Sequence, residues 1–129
     1  MTQFLADTHI FLWWIQNSKK LSSSHARALK GVSPDNPLLI SDITIWEIGL
    51  LVKIGRIQID RPLRDWLVAA TAPPLVEIIP ISPAIVSAVV QLPTTFQRDP
   101  ADQIIFSTAQ ILGAKLLTED RSMLEFLAG

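Results

Sequence analysis

Apolar residues in this chain fall into short continuous runs and into longer stretches in which they recur every three or four positions. The short runs, rich in Leu, Ile and Val, predict buried β-strands at residues 3–7, 38–41, 76–81 and 115–118. The periodic stretches predict helices, because that spacing places apolar side chains on one helix face. Helices are predicted at residues 11–16, 22–30, 42–54, 62–71, 83–92, 100–112 and 122–127, with a brief extended stretch at 57–60.

The predicted elements follow the order β-α-α-β-α-α-β-α-α-β-α, which favours an α/β fold. Helices between successive strands imply right-handed crossovers and a parallel sheet covered by helices on both faces. A hydrophobic content of 49% fits such a doubly covered sheet. The length of 129 residues predicts a single domain, residues 1–129.

Composition narrows the class of protein further. The chain has no cysteine, which excludes disulfides and thiolate metal sites and fits a reducing compartment. No apolar run reaches the ~18 residues of a spanning helix. The N-terminus lacks the features of a signal peptide, so we expect a cytoplasmic protein with no membrane partner.

The formal net charge of −1 does not match a general nucleic-acid binder. A phosphate-backbone partner would therefore need a metal ion or local basic pairs, which also suit an ordinary solvated surface. The candidate pairs are Lys19 with Lys20, Lys53 with Arg56, and Arg61 with Arg64.

Five acidic residues lie where predicted strands end or helices begin. Asp7 ends the first strand, and Asp120 follows the fourth. Glu47 lies early in the helix after the second strand, while Asp99 and Asp102 open the helix that leads into the fourth. Because the carboxyl ends of parallel strands meet at one edge of a sheet, we expect all five side chains there.

Each of these acids also has a local structural explanation. Asp7 and Asp120 suit turns or helix caps. Thr44 and Glu47 have the spacing of a capping box, and Asp99 and Asp102 around a proline make a good helix start. The joint placement is harder to explain locally, because unpaired carboxylates a few ångströms apart repel one another and raise each other's pKa values.

Such a carboxylate cluster requires cations. Hard oxygen ligands without cysteine select Mg²⁺ or Mn²⁺. An ion of this kind suits hydrolysis of phosphodiesters, in which it activates a water and stabilises the developing charge. His9 could be a further ligand, although a lone histidine after a strand is more often structural. No Gly-rich phosphate loop supports nucleotide-triphosphate chemistry.

Three ordered blocks carry a family resemblance, namely LADTHIFLWW, SDITIWEIGLLVKIGRI and RDPADQIIFSTAQILGAKLLTEDRSM. Over essentially its whole length the chain resembles PIN-domain proteins, specifically the VapC-like toxins of toxin–antitoxin modules. The resemblance implies a three-layer α/β/α PIN-like fold with a parallel sheet of four or five strands. It also implies a Mg²⁺- or Mn²⁺-dependent endoribonuclease that acts on RNA, forms a homodimer and is silenced by a cognate antitoxin.

Site residues follow from the same resemblance. The catalytic acids, which also bind the metal, are implied to be Asp7, Glu47, Asp102 and Asp120, with Asp99 as an additional metal acid and Thr118 as a supporting residue. Two departures stand out. Gln103 occupies a position where this subgroup often has arginine, and residues 124–129 replace the further short strand with which the family commonly ends.

Two alternatives remain from the sequence. A non-catalytic PIN-like module would bind RNA or a partner through an exposed apolar surface of Phe11, Trp13, Trp14 and Trp46. Five acids argue against such a module, because a binding surface gains nothing from their repulsion. A phosphotransfer receiver domain fits less well, since the first strand supplies one Asp and Lys115 begins its strand instead of ending it.

Overall fold

A computed structural model describes residues 2–128; Met1 and Gly129, which the predicted domain includes, lie outside the described residues. The strands are β1 (Phe4–Ala6), β2 (Leu38–Ser41), β3 (Val76–Ile79) and β4 (Lys115–Leu117). The helices are α1 (Thr8–Ile15), α2 (Ser23–Leu29), α3 (Asp42–Lys53), α4 (Leu63–Ala70), α5 (Pro83–Val90), α6 (Pro100–Leu112) and α7 (Arg121–Ala128). None of the described helices is long and apolar enough to cross a membrane.

The four strands form one sheet in the order β3-β2-β1-β4, and every neighbouring pair is parallel. Leu5 in β1 pairs with Leu39 in β2 and with Leu116 in β4, which places β1 between its neighbours at the centre of the sheet. The predicted α/β class and the predicted element order are confirmed. Within residues 2–128 no fifth strand joins this sheet.

Alternating strand residues bury side chains on opposite faces of the sheet. On one face Ala6 and Ile40 pack with Phe11 of α1, and on the other Leu5 packs with Ile105 of α6. These two apolar clusters separate the helices into two layers around the sheet. The predicted three-layer α/β/α arrangement is therefore present.

Helix α1 begins earlier than predicted, at Thr8 instead of residue 11. Asp7 is the N-cap, and its carboxylate accepts a hydrogen bond from the Ile10 N–H at 2.9 Å. This cap satisfies a backbone donor that would otherwise lack a partner, so the helix starts directly after the strand. The earlier start turns Phe11 fully into the core, which corrects its predicted exposure.

Residues 57–60, predicted as a brief extended stretch, are not part of any strand of the sheet. Ile57 and Ile59 instead pack against the apolar cluster on the α1 face of the sheet. Of the tryptophans expected at the surface, Trp13 and Trp14 are partly buried, whereas Trp46 on α3 is 60% exposed.

Helix α6 carries the second group of predicted site residues, and its ends explain its position. Asp99 is the N-cap and accepts a hydrogen bond from the Asp102 N–H at 2.8 Å, with Pro100 as the first helical residue. The helix ends at Gly113, whose φ of 64° lies in the left-handed region that suits glycine. Chain direction then reverses into β4.

Candidate active site

A cleft of about 400 Å³ opens where the carboxyl ends of β1 and β4 meet the first turn of α6. Its walls include all five acids predicted from the sequence: Asp7, Glu47, Asp99, Asp102 and Asp120. The parallel topology explains this convergence, because residues far apart in sequence follow strands that end at the same edge. The other residues of the lining are Thr8, His9, Ile10, Trp13, Arg98, Glu119 and Met123.

Asp7 lies deepest among these acids and is only 9% exposed. Burial raises the pKa of Asp7 above its ordinary value, while the Thr118 hydroxyl and the Ile10 N–H oppose that rise by hydrogen bonding to the carboxylate. Thr118 is itself buried, and its hydroxyl also accepts a hydrogen bond from the Asp120 N–H at 3.0 Å. The structure thus places Thr118 in contact with two of the predicted acids.

Glu47 reaches the cleft from α3 and accepts a short hydrogen bond from the Thr8 hydroxyl. Thr8 also lies 3.1 Å from the buried Thr44 hydroxyl, which must donate if the single Thr8 proton points to Glu47. Burial raises the pKa of Glu47 despite the Thr8 hydrogen bond. The capping box considered for Thr44 and Glu47 is wrong, because Ser41 is the N-cap of α3.

Asp102 and Asp120 face a shared cation. The Arg98 Nη2 lies 3.5 Å from Asp102 Oδ2 and makes a closer ion pair with Asp120 Oδ2. Burial raises the pKa of Asp102 to about 6, with repulsion from Asp99 and Glu47 adding to the rise and Arg98 opposing it. The second oxygen of Asp120 accepts a hydrogen bond from the Met123 N–H, at 3.2 Å.

Asp99 occupies the rim of the cleft and is exposed. One of its oxygens caps α6, so its position is set by the helix start described above. Glu119, also at the rim, lies 3.1 Å from the His25 Nδ1 of α2. The His9 ring lies 5.9 Å from the Trp13 ring, centroid to centroid, and is tilted by 55° against it.

The donor set fits a hard divalent ion by its chemistry. Carboxylate oxygens are the ligands that Mg²⁺ and Mn²⁺ prefer. Burial and, after it, repulsion from Asp99 and Glu47 raise the pKa of Asp102, and a bound cation would offset both. The geometry is not closed around an ion: in the part of the chain that the structure describes, no three acidic or histidine side chains stand ready to hold one. Thr8 holds Glu47, and Arg98 holds Asp102 and Asp120.

Two residues central to this cleft were missed from the sequence. Arg98 begins the RDPAD block and was seen only as part of that motif. Thr8 directly follows Asp7, but nothing in the local pattern indicates that its hydroxyl reaches a carboxylate 39 residues away. Both contacts depend on how the strands and α3 pack.

Two further clefts adjoin the acids. An apolar cleft of about 500 Å³ shares Glu47 and Asp99 with the acidic cleft and is otherwise lined by Ile43, Trp46, Leu50, Pro100, Ala101 and Ile104. A polar cleft of about 480 Å³ shares His9 and Trp13 with it and contains Lys20, Arg56, Gln16 and Gln58. The acids therefore lie between an apolar surface and a basic one.

The structure combines a parallel sheet that is covered by helices on both faces with carboxylates that gather at one edge of that sheet. This combination is typical of α/β proteins that bind a ligand at the carboxyl ends of their strands. Residues 4–126 match the family model of the PIN domain, and the chain belongs to the PIN-domain family. The chain is 32% identical over 123 residues to Ribonuclease VapC22 of Mycobacterium tuberculosis, a match that covers 95% of this chain and 91% of that protein. The predicted family is thereby confirmed.

Solved structures give the same fold. A toxin–antitoxin complex from Klebsiella pneumoniae superposes with a TM-score of 0.64 at 25% identity, covering 92% of this chain and 87% of that one. The VapBC2 complex from Rickettsia felis, bound to a DNA fragment from its promoter, has a TM-score of 0.69 at 20% identity, covering 96% and 92%. The predicted PIN-like fold is confirmed.

Proposed function

We propose that this chain is a divalent-metal-dependent endoribonuclease and the toxin of a toxin–antitoxin module. The observation that carries this proposal is the convergence of five carboxylates from separate parts of the chain in one cleft. The relative named as a ribonuclease and the neighbour described as a toxin–antitoxin complex support the same assignment. A cytoplasmic location, consistent with the absence of cysteine, is part of the proposal.

Asp7, Glu47, Asp102 and Asp120 would hold Mg²⁺ or Mn²⁺, with Asp99 as a further acid at the rim. The bound ion would supply Lewis acidity and an activated water for phosphodiester hydrolysis. Within the protein, the Ile10 N–H and the Thr118 hydroxyl hold Asp7.

Glu47 is oriented toward the cleft by Thr8, and burial raises the pKa of its carboxyl group. Thr118 links Asp7 to the backbone of Asp120 and so fixes the two strand-end acids relative to each other. No protein nucleophile is required, because water attacks the phosphorus.

The polar cleft beside the acids suits the RNA strand. Trp13 and His9 offer ring surfaces on which bases can stack. Lys20 and Arg56 line the same polar cleft beyond these rings and supply positive charge for backbone phosphates. The RNA would then run from the acids past Trp13 toward these two cations.

Apolar surface supports the two protein partners. The apolar cleft next to Glu47 and Asp99, with Trp46 60% exposed, suits a segment of the antitoxin. Val86 and Val90 on α5 are 48% and 78% exposed, and an exposed apolar helix face of this kind supports a homodimer.

The deciding experiment measures cleavage of a labelled RNA with Mg²⁺ or Mn²⁺, with and without a chelator. We expect cleavage by the wild-type chain, none with chelator, and loss of more than about 100-fold in Asp102→Asn. Thermal melts would verify that the variant is folded.

The chosen RNA must include several sequences and structures, since specificity is not encoded in the acids. Wild-type cleavage by folded Asp102→Asn would reject the site. RNA binding without cleavage of any RNA, together with no Mn²⁺ binding, would favour the non-catalytic PIN-like module instead.

The RNA path has its own test. In the double variant Lys20→Gln, Arg56→Gln, RNA affinity should fall and the slope of log affinity against log salt should decrease by about 1.4. Arg61→Gln, Arg64→Gln removes the same charge from the exposed surface around the start of α4 and is the matched control. Equal losses in both double variants would contradict the proposed path.

A further inference from the structure

One basic side chain lies among the acids of the cleft. The Arg98 Nη2 contacts the Oδ2 atoms of Asp102 and Asp120, and through them joins α6 to the end of β4. The Arg98 guanidinium is the principal positive charge that faces the two carboxylates. Arg98 therefore lies where a positive charge is most needed by the repelling acids.

The two acids do not require Arg98 for their positions. Asp120 is anchored through its other oxygen, Oδ1, which accepts the Met123 N–H. Asp102 lies in the first turn of α6, where its own N–H is bound by the Asp99 cap. For Asp120, the oxygen that contacts Arg98 is thus the one that the Met123 hydrogen bond leaves over. Asp102 is positioned through its backbone, so its carboxylate is not what holds it in the helix start.

The guanidinium itself is incompletely bonded. Arg98 Nε is buried and has no hydrogen-bond partner among residues 2–128, although the side chain as a whole is 35% exposed. The backbone beneath it is fixed, because the Gln103 Nε2 donates to the Arg98 carbonyl at 2.8 Å. A long side chain on a fixed backbone, with one face open, can leave its carboxylates without disturbing α6.

We propose that Arg98 is the resident counter-cation of the metal site: it neutralises Asp102 and Asp120 when no ion is bound, and must release them for a divalent ion to bind. The proposal rests on the proposed function only where it takes these two acids as metal ligands. Arg98 is then a positioning residue that sets metal affinity.

The physical reason is that one set of oxygens cannot serve both cations fully. Carboxylates that share one cation repel each other once that cation is removed, so a cleft without Arg98 would be costly in the absence of metal. Charge-assisted hydrogen bonds to a guanidinium remove that cost. Exchange of one cation for another keeps the local charge balanced in both states.

The test is calorimetric titration of the metal-free chain with Mn²⁺. Arg98→Met should bind Mn²⁺ about tenfold more tightly than wild type, because the competing cation is gone. Arg98→Lys keeps a cation and should stay close to wild type. Arg64→Met, an exposed arginine on α4, is the matched control and should leave affinity unchanged.

Unchanged or weaker Mn²⁺ binding in Arg98→Met would overturn the proposal. So would equal tightening in Arg98→Met and Arg98→Lys, since a role in hydrogen-bond geometry alone would be lost in both. Absence of Mn²⁺ binding in wild type and in every variant would overturn it as well.

A second measurement uses the wild-type chain and does not depend on a variant folding. In metal-free protein the Arg98 Nε–H should give a distinct NMR signal, because the atom is buried. Addition of Mg²⁺ should shift this signal and expose it to exchange with water. A signal unaffected by saturating Mg²⁺ would contradict displacement.

Failure of this proposal and failure of the proposed function give different results. If Arg98 is no competitor, Mn²⁺ affinity is insensitive to its loss while wild-type RNA cleavage persists. If the chain is not a nuclease, cleavage is absent even where Mn²⁺ binds and Arg98→Met binds it more tightly.

Discussion

The two halves of the acidic cleft differ in what faces their carboxylates. Asp7 and Glu47 face neutral donors, namely the Ile10 N–H and the Thr8 hydroxyl. Asp102 and Asp120 face the charged Arg98. Neutral donors fix a carboxylate in place without balancing its charge, whereas a cation balances the charge through a mobile side chain.

This contrast separates two requirements of a metal site. The half around Asp7 and Glu47 is preorganised by backbone and buried hydroxyls, so it should hold its shape whether or not an ion is present. The half around Asp102 and Asp120 depends on which cation is there. Metal binding should therefore rearrange the second half and leave the first unchanged.

The largest expected effect comes from Asp7, whose carboxylate both caps α1 and faces the cleft. Asp7→Asn keeps a good N-cap and should lose more than about 100-fold in RNA cleavage with little change in stability. Asp7→Ala should lose cleavage equally and also about 1 kcal/mol of unfolding free energy, through loss of the cap. Cleavage rates and denaturant melts of the two variants measure the roles separately. Strong destabilisation by Asn would show that the cap interpretation is incomplete.

A substitution at Thr8, which is hydrogen-bonded to Glu47, tests the half of the cleft around Asp7 and Glu47. Thr8→Val conserves shape but removes the donor to Glu47, and we expect Mn²⁺ affinity to fall about tenfold. Thr44→Val is the control, because it leaves the Thr8 hydroxyl free to donate to Glu47. Calorimetry on both variants measures the difference. Equal losses would assign the effect to the threonine pair instead of to Glu47.

The pH dependence of stability tests the half of the cleft around Asp102 and Asp120. The pKa of Asp102 is raised from 3.8 to about 6 in the fold, so the folded state holds this proton more tightly than the unfolded chain. The stability that protonated Asp102 contributes to the fold is fully present below the pKa of Asp102 in the unfolded chain. That contribution is lost as pH rises through the pKa of Asp102 in the folded state. In metal-free protein, the melting temperature of Asp102→Asn relative to wild type should rise by roughly 2–6 °C between pH 4 and pH 7. A constant difference across that range would contradict the raised pKa.

Gln103 gives the smallest effect. Gln103→Leu removes the hydrogen bond to the Arg98 carbonyl, which should loosen the arginine and tighten Mn²⁺ binding by about threefold. The same change in an Arg98→Met background should have no further effect, since the side chain being positioned is absent. Titration of the single and double variants decides this, and an effect that persists without Arg98 would place the role of Gln103 elsewhere.

Much of the fold was predictable because buried parallel strands are continuous apolar runs, and helices between successive strands imply a parallel sheet. The strand order within the sheet was not predicted. The predicted strands agree with the observed ones to within two residues at each end. Helix α1 was placed late because its start depends on one side-chain cap, a choice that the apolar pattern does not encode. The sequence also could not show that Phe11 would turn into the core.

The candidate site was predictable in its residue types but not in their partners. Asp7 and Asp120 could be placed at one edge from strand ends alone. The contacts of Thr8 with Glu47 and of Arg98 with Asp120 depend on packing between elements separated by 39 and 22 residues. Local periodicity carries no information at such separations, so which cation or hydroxyl faces each acid required three-dimensional structure.

The pairing at one edge of the sheet joins the first strand in sequence, β1, to the last, β4. The Asp7 N–H donates to the Leu117 carbonyl at 3.0 Å beside that pairing. The carboxylates at the two strand ends therefore come together only when β4 has docked beside β1. In a partly folded chain whose β4 has not yet paired with β1, these carboxylates would lie apart even if the helices had formed. Metal binding therefore depends on completion of the fold, because a partly folded chain has no assembled site with which to bind the ion.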